Sequence, residues 1–184
     1  MEEEEENNND RKIINSQNID IIKEKFSCGN YEGEFRNEKR EGKGVYKFDN
    51  GDIYEGDFHN DEFEGFGKYT WKTGETYEGM FKKSQRDGKG INIYPSGAKY
   101  EGDFQDGKRE GKGVYFFPNK DRYEGDFKKD KRDGDGIMYY ADGAKEIGIY
   151  EDDKKIGKHI YYGKDGNIKT NDYGQNYKEI EKKK

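Results

Sequence analysis

The stretch YEGDFQDGKREGKGVYFF, Tyr100 to Phe117, decides the fold, because it returns along the chain at a fixed interval. The tyrosines that open its copies are Tyr31, Tyr54, Tyr77, Tyr100 and Tyr123, each 23 residues after the one before. Self-similarity at such a period marks a protein built from one supersecondary unit, stacked because no single copy can bury its own apolar face. The copies span 31–53, 54–76, 77–99, 100–122 and 123–145. A sixth, 146–168, keeps the register while losing the signature. Glu146 and Ile147 replace the opening tyrosine and glutamate, Tyr150 stands in the phenylalanine column, and Gly148, Gly157 and Gly166 hold the glycine columns. A last repeat lacks a neighbour on one side, so its sequence is expected to drift.

Within Tyr-Glu-Gly-Asp-Phe the tyrosine, glycine and phenylalanine share one parity and the two acids the other, which is the period of a half-buried strand. The run from Gly111 to Phe117 has the same character, and most copies place a β-branched residue in its middle: Val45, Ile91, Val114, Ile137 and Ile160. A polar turn, Gln105–Glu110 in the quoted copy, joins the two runs, and turns such as Asn50-Gly51, Ser96-Gly97 and Asp142-Gly143 lead onward. The expected fold is therefore all-β, an elongated single-layer solenoid of antiparallel hairpins, one per repeat, each advancing the array by about 10 Å. Parity suggests that Gly102 faces Tyr115, Tyr100 faces Phe117 and Phe104 faces Gly113, so that a ring from the neighbouring strand covers each glycine. Gly33 would then face Tyr46, and Gly56 would face Tyr69.

Composition bounds the function. Charged residues make up 41% of the chain and hydrophobic ones 28%, close to a disordered composition, yet aromatics reach 15% and must supply the core. A net charge of -6, weighted toward Glu2 to Glu6, offers no basic field to hold nucleic acid or an anionic membrane. The single Cys28 allows no internal disulfide or cysteine-based zinc site and fits a reducing compartment. No apolar run has the length of a membrane span or a signal peptide, so a soluble, intracellular protein is expected. Residues 1–12 are expected to be a disordered acidic tail and 13–30 a cap on the first repeat. Residues 169–184, with Tyr173, Tyr177 and Ile180, are expected to form a short helical or frayed tail.

Motifs for catalysis fail one by one. Gly102 to Arg109 approaches the phosphate-binding GxxxxGK pattern, but Arg109 takes the place of the required hydroxyl and the stretch lies in a hairpin. Asp133-Gly134-Asp135-Gly136 resembles a fragment of a calcium loop without its downstream ligands. His59 falls in a turn, His159 replaces a strand glycine, and neither neighbours a nucleophile. The reading is no enzyme, no cofactor and no metal. Two surfaces remain. One is an aromatic strip left open to a partner, formed by Tyr54, Phe58, Phe63, Phe66, Tyr69, Trp71, Tyr77, Phe81, Tyr100, Phe104 and Tyr115. The other is a row of turn cations, Lys39, Arg40, Arg86, Lys108, Arg109, Lys131 and Arg132, which is either a solvated edge or a contact line for an acidic partner or lipid head groups. Glu41, Glu64, Asp87, Glu110 and Asp133 follow the row and weaken its pull on a membrane. Phe63 and Phe66 interrupt it and are the most specific contact expected.

The pentads YEGEF, YEGDF, YEGMF, YEGDF and YEGDF, each followed by GKG, GFG or GDG, resemble MORN repeats (membrane occupation and recognition nexus) from Tyr31 to about Ile168. The resemblance implies a single-layer hairpin array and one of two roles. One is at membranes, as in junctophilins and plant-type phosphoinositide kinases, where other domains are joined to the repeats. The other is in cytoskeletal and ciliary assemblies, as in radial-spoke head components and myosin-tail adaptors, whose groove takes a partner segment. No kinase, methyltransferase or membrane anchor is appended here, which favours the second. The expectation is a non-enzymatic scaffold for proteins of a cytoskeletal or axonemal complex, in cytoplasm or cilium, with self-association through the repeat ends as a further option. The alternative is a peripheral membrane module reading acidic phospholipids through the cation row; nucleic acid is not an expected partner.

Overall fold

The computed structural model describes residues 12–13 and 20–174. Apart from Lys12, the acidic tail expected over 1–12 lies outside the described residues, as do Tyr177 and Ile180. The chain divides into two compact units, with the break between Gln85 and Arg86. The first unit holds β1 (Lys12–Ile13), β2 (Asp20–Phe26), β3 (Gly29–Arg36), β4 (Lys39–Phe48), β5 (Ile53–His59), β6 (Glu62–Thr70) and β7 (Thr76–Lys82). The second holds β8 (Gln85–Ile93), β9 (Lys99–Gln105), β10 (Lys108–Phe116), β11 (Arg122–Lys128), β12 (Lys131–Tyr139), β13 (Lys145–Glu151), β14 (Lys154–Tyr162) and β15 (Ile168–Asp172). Within each unit, consecutive strands are antiparallel neighbours in chain order. The fold is all-β, with one antiparallel hairpin to a repeat.

The hairpin turns are tighter than the polar run Gln105–Glu110 suggested. Asp106-Gly107 alone closes β9 onto β10, with φ of 49° and 79°. Asn37-Glu38, Asn60-Asp61, Lys129-Asp130 and Asp152-Asp153 share the same pair of positive φ angles. Such two-residue turns match the natural twist of the strands they join. Lys108 and Arg109 therefore belong to β10, and Arg109 lies opposite Phe104.

Beyond that pair the register shifts. Arg109↔Phe104 is followed by Gly113↔Gly102, so β10 carries two more residues than β9 over the interval. Gly111, at φ 69° in this bulge, takes the left-handed conformation that a side chain would resist. The same shift recurs between β3 and β4, β5 and β6, β11 and β12, and β13 and β14. The register inferred from parity is thus overturned. Gly102 faces Gly113 and not Tyr115, Tyr100 faces Tyr115 and not Phe117, Gly33 faces Gly44, and Gly56 faces Gly67. Two inserted residues leave every side chain on its own face, so alternation cannot reveal them.

The core is built from tyrosines. Tyr31, Tyr54, Tyr77, Tyr100 and Tyr123 are completely buried. A ring such as that of Tyr100 lies across the pair Gly102 and Gly113, and its hydroxyl donates to the Asp103 carbonyl at 3.0 Å. The other four hydroxyls make the same bond to Glu34, Asp57, Met80 and Asp126 at 2.7, 2.8, 2.8 and 3.1 Å. Each glycine is indeed covered by a ring, but by the tyrosine that opens the repeat.

The sixth repeat solves the same problem with different residues. Glu146 replaces the tyrosine, and His159 replaces the glycine of the second strand. The His159 imidazole lies over Gly148, and its Nε2–H donates to the Ile149 carbonyl at 2.8 Å, the position that a tyrosine hydroxyl engages in the other copies. The buried Glu146 carboxylate accepts from Tyr140 and Tyr173 hydroxyls at 2.8 Å each, from Asn171 Nδ2 at 3.0 Å and from the Lys155 ammonium. Burial alone would raise its pKa, but these donors outweigh burial and hold it down to about 2.

Both flanks of the array carry strands that the sequence did not announce. β2 pairs with β3, opposing Ile22 to Gly33, and buries Ile22. β15 (Ile168–Asp172) pairs with β14, so 169–172 is strand where a helical or frayed tail was expected.

Candidate protein-interaction surface

Tyr100, Gly102, Phe104, Arg109, Gly113 and Tyr115 of a copy share one face, and Glu101, Asp103, Lys112 and Val114 share the other. The aromatic face is largely filled, apart from a depression of about 180 Å³ past Arg109, Tyr115, Phe117, Phe127 and Arg132. Tyr54 meets Phe58 and Phe81 edge to face at 5.1 Å, and Tyr100 meets Phe104 at 5.1 Å and Phe127 at 5.0 Å. Burial of these rings pushes the Tyr54 and Tyr100 hydroxyls well above the usual phenol range, so they remain proton donors. Tyr54, Phe58, Tyr77, Phe81, Tyr100 and Phe104 are accordingly core residues and not an open strip. Tyr69, Trp71 and Tyr115 are half-buried at its margin.

The arginines close this face. Because the turn is tight, the arginine column enters the second strand on the aromatic side. Arg40 lies 4.9 Å from the Tyr46 centroid and 5.6 Å from Phe58, while its Nε donates to Asp61 Oδ1 at 3.0 Å. Arg109 covers Phe127 at 5.3 Å and is tied to Asp130; Arg132 covers Tyr150 at 5.0 Å and bonds Asp153 at 3.0 Å. Arg86, whose following turn has Gly107 in the aspartate column, donates to the buried Asn92 at 2.7 Å and covers Phe104 at 5.1 Å. In repeat two Phe63 takes the arginine's place, stacks on Tyr54 at 3.7 Å, and Ser84 replaces the aspartate to accept from the Phe63 amide. The acids behind the row also serve the fold: Glu41, Glu64, Glu110 and Asp133 accept amides of the next turn, from Asn60, Lys83, Lys129 and Asp152. The supposed lipid edge is therefore largely a device that stacks one repeat on the next. Lys39 reaches Asn60 at 3.4 Å, Lys131 pairs with Asp152 at 3.2 Å, and Lys108 is exposed.

The opposite face is the open one. Directly opposed residues form a ladder of cross-strand ion pairs: Lys43–Asp57 at 2.6 Å, Lys89–Asp103 at 2.7 Å and Lys112–Asp126 at 2.7 Å. Two rungs are missing. At β6–β7 the opposed residues are Phe66 and Met80, 51% and 40% exposed, and at β12–β13 they are Asp135 and Ile149. A trough of about 470 Å³ runs over the first unit, lined by Val45, Glu55, Phe66 and Glu78 among others. A larger one of about 720 Å³ runs over the second, past Glu101, Val114, Glu124, Ile137 and Ile147. Phe63 and Phe66 thus face opposite sides of the sheet and cannot form one contact. The ion-pair ladder was present in the sequence as two columns, and they meet across the unbulged pairings β4–β5, β8–β9 and β10–β11 that join one repeat to the next.

Other residues weighed for chemistry fall into the same frame. His59, expected in a turn, is the exposed last residue of β5, its Nδ1 2.8 Å from Glu41 Oε1, and Cys28 Sγ lies 3.1 Å from the Tyr46 hydroxyl. The phosphate-loop-like run occupies β9, its turn and β10. Among the described residues no cluster of three or more His, Cys, Asp or Glu side chains could hold a metal ion, and no helix is long and apolar enough to cross a membrane.

A sheet of near-identical hairpins with one closed and one open face defines a repeat module of the interaction type. The MORN repeat profile matches five consecutive segments, 31–53, 54–76, 77–99, 100–122 and 123–145, and the chain belongs to the MORN-repeat family. No curated protein matches the sequence significantly. Among solved structures the chain is similar to the TCP domain of SAS-4 (dCPAP) from Drosophila melanogaster, in complex with a proline-rich motif of Ana2 (dSTIL), at a TM-score of 0.53 and 18% identity over 88% of each chain. That likeness is one of fold.

Proposed function

We propose that this protein is a non-enzymatic scaffold that takes segments of partner proteins on the open face of its sheet, within a cytoskeletal assembly, of the ciliary axonemal, radial-spoke type. MORN repeats are commonly modules for protein or membrane interaction, which sets the class. The SAS-4 domain, a relative in fold, is seen with a peptide motif of another protein, which supports a protein partner here. The observation that carries the reading is the Phe66–Met80 rung, an exposed apolar pair at a place where three other pairings have lysine and aspartate. The fold does not need it, since Lys43–Asp57 occupies the equivalent place one repeat earlier. Exposed aromatic and methionine side chains set in a polar surround are typical anchors for a partner.

Phe66→Lys with Met80→Asp restores the ion pair and removes the anchor. Proximity labelling from a tagged copy should mark cytoskeletal or axonemal proteins with the wild type, and the variant should lose much of that labelling while remaining folded. Diffuse distribution of the wild type, or identical labelling by both, would overturn the reading. Salt-sensitive sedimentation with anionic vesicles would transfer it to the membrane alternative.

A further inference from the structure

The two missing rungs differ in kind. Phe66–Met80 is neutral, whereas at β12–β13 the sign is reversed: Asp135 stands where Lys43, Lys89 and Lys112 stand in other copies. Its partner Ile149 takes the place of an aspartate, and Ile147 takes the place of Glu55, Glu78, Glu101 and Glu124. The register sets Ile137 opposite Ile147, and Ile147 opposite Ile160, so three successive strands present aliphatic side chains in one line. Ile149 is 49% exposed and Ile160 is 42% exposed. Isolated exposed aliphatics are ordinary, but a contiguous line rimmed by charge marks a contact surface. The fold has no use for it, because five copies carry glutamate at the Ile147 position.

Ile137, Ile147 and Ile149 line one end of the trough of about 720 Å³ over the second unit, and Ile160 continues the line beyond it on β14. Beside it lie two carboxylates with little or no compensation. Asp135 has no ion-pair partner among the described residues, and Glu124 has only Arg122 at 3.9 Å. Of the column's lysines two strands away, Lys112 is committed to Asp126 at 2.7 Å, while Lys158 stands exposed on β14. Lys89 and Lys112 line the other end of the trough, so it is at Asp135 and Glu124 that an acidic segment or an anionic lipid would be repelled. A second copy docking through the same face would bring these carboxylates against themselves.

We propose that the β12–β14 end of this trough binds an extended partner segment in which aliphatic side chains alternate with lysine or arginine. The inference rests on the reading of the open face as a site for protein segments, and adds a second contact of defined chemistry. Aliphatic side chains of the segment pack on Ile137, Ile147, Ile149 and Ile160, and its cations meet Asp135 and Glu124.

The test uses the full chain and three fluorescein-labelled peptides about eight residues long, the length of a strand, alternating Leu/Lys, Leu/Glu and Ser/Lys. Anisotropy titrations should show binding of Leu/Lys above both others. Ile147→Glu restores the residue of the earlier repeats and should weaken Leu/Lys binding roughly tenfold or more, as expected for losing one buried isoleucine. Asp135→Lys restores the repeat's lysine and should shift preference toward Leu/Glu. Phe66→Lys with Met80→Asp should leave the affinity unchanged. Absence of Leu/Lys binding, equal binding of Leu/Lys and Leu/Glu, or indifference to both single substitutions overturns the proposal. Binding that responds only to the Phe66 and Met80 change also overturns it, while leaving the scaffold reading intact.

Discussion

A Cβ placed on Gly113 would lie 2.5 Å from Tyr100 Cε2, and one on Gly102 would lie 2.6 Å from the Gly113 Cα, so at this crossing the backbone is bare because a ring occupies the space. Gly113→Ala should therefore displace the Tyr100 ring and break its bond to the Asp103 carbonyl, costing about 3 kcal/mol, the upper end for overpacking. Tyr100→Phe keeps the ring and loses only the hydroxyl bond, at about 1 kcal/mol. Urea unfolding of the two variants measures the difference. The sequence showed that rings must cover the glycines, yet it assigned Tyr115 to Gly102. Alternation fixes the face a side chain occupies but not the direction in which it leans along the strand. The same limit hid the arginines, since Arg109 read as a turn cation until a two-residue turn placed it opposite Phe104.

Elements were more legible than their register. Two strands and two turns per repeat follow from the alternation alone, because a glycine or polar pair punctuates each run. The bulge at Gly111 was not legible, since glycine is equally common in flat strand positions of this chain. β2 escaped notice because Ile21 is 43% exposed while Ile22 is buried, which blurs the pattern. The hairpin β13–β14 shows how far the pattern can be rewritten without loss of the element. Glu146→Tyr alone would force a second ring into the place of His159 and strand Lys155, and His159→Gly alone would leave the Ile149 carbonyl without its donor. Each should destabilise the second unit, by about 3 kcal/mol for the first, as when one partner of a buried ion pair is removed. Together they re-create the tyrosine and paired glycines of the other copies, so the double variant should be more stable than the sum of the single losses predicts. A double-mutant cycle of thermal unfolding tests this.

For the molecule as a whole, hydrogen bonds between repeats span 19 to 21 residues and tie each copy to the next, as in Arg40 to Asp61 and Lys129 to Glu110. Stability within a unit is then a sum over neighbours, and a local defect weakens its own neighbourhood first. The acid response should be equally local. Glu146 has a folded pKa of about 2 against an ordinary 4.5, so its contribution is complete above pH 4.5 and drains away as the pH falls toward 2. Protonation leaves the Lys155 ammonium without its buried counter-ion. Tyrosine fluorescence should accordingly report a transition in that window, and Glu146→Gln should abolish the pH-dependent part while lowering stability at neutral pH. A transition unchanged by the substitution would assign it to other carboxylates.

Trp71 is the only indole in the chain, and its ring centroid lies 4.6 Å from that of Tyr69, within the first unit. At that separation excitation absorbed by Tyr69 passes to the indole, so red-edge emission reports on the surroundings of Trp71 in the first unit. The protein therefore carries its own label in the first unit, with which binding at Phe66 can be followed without attaching a dye.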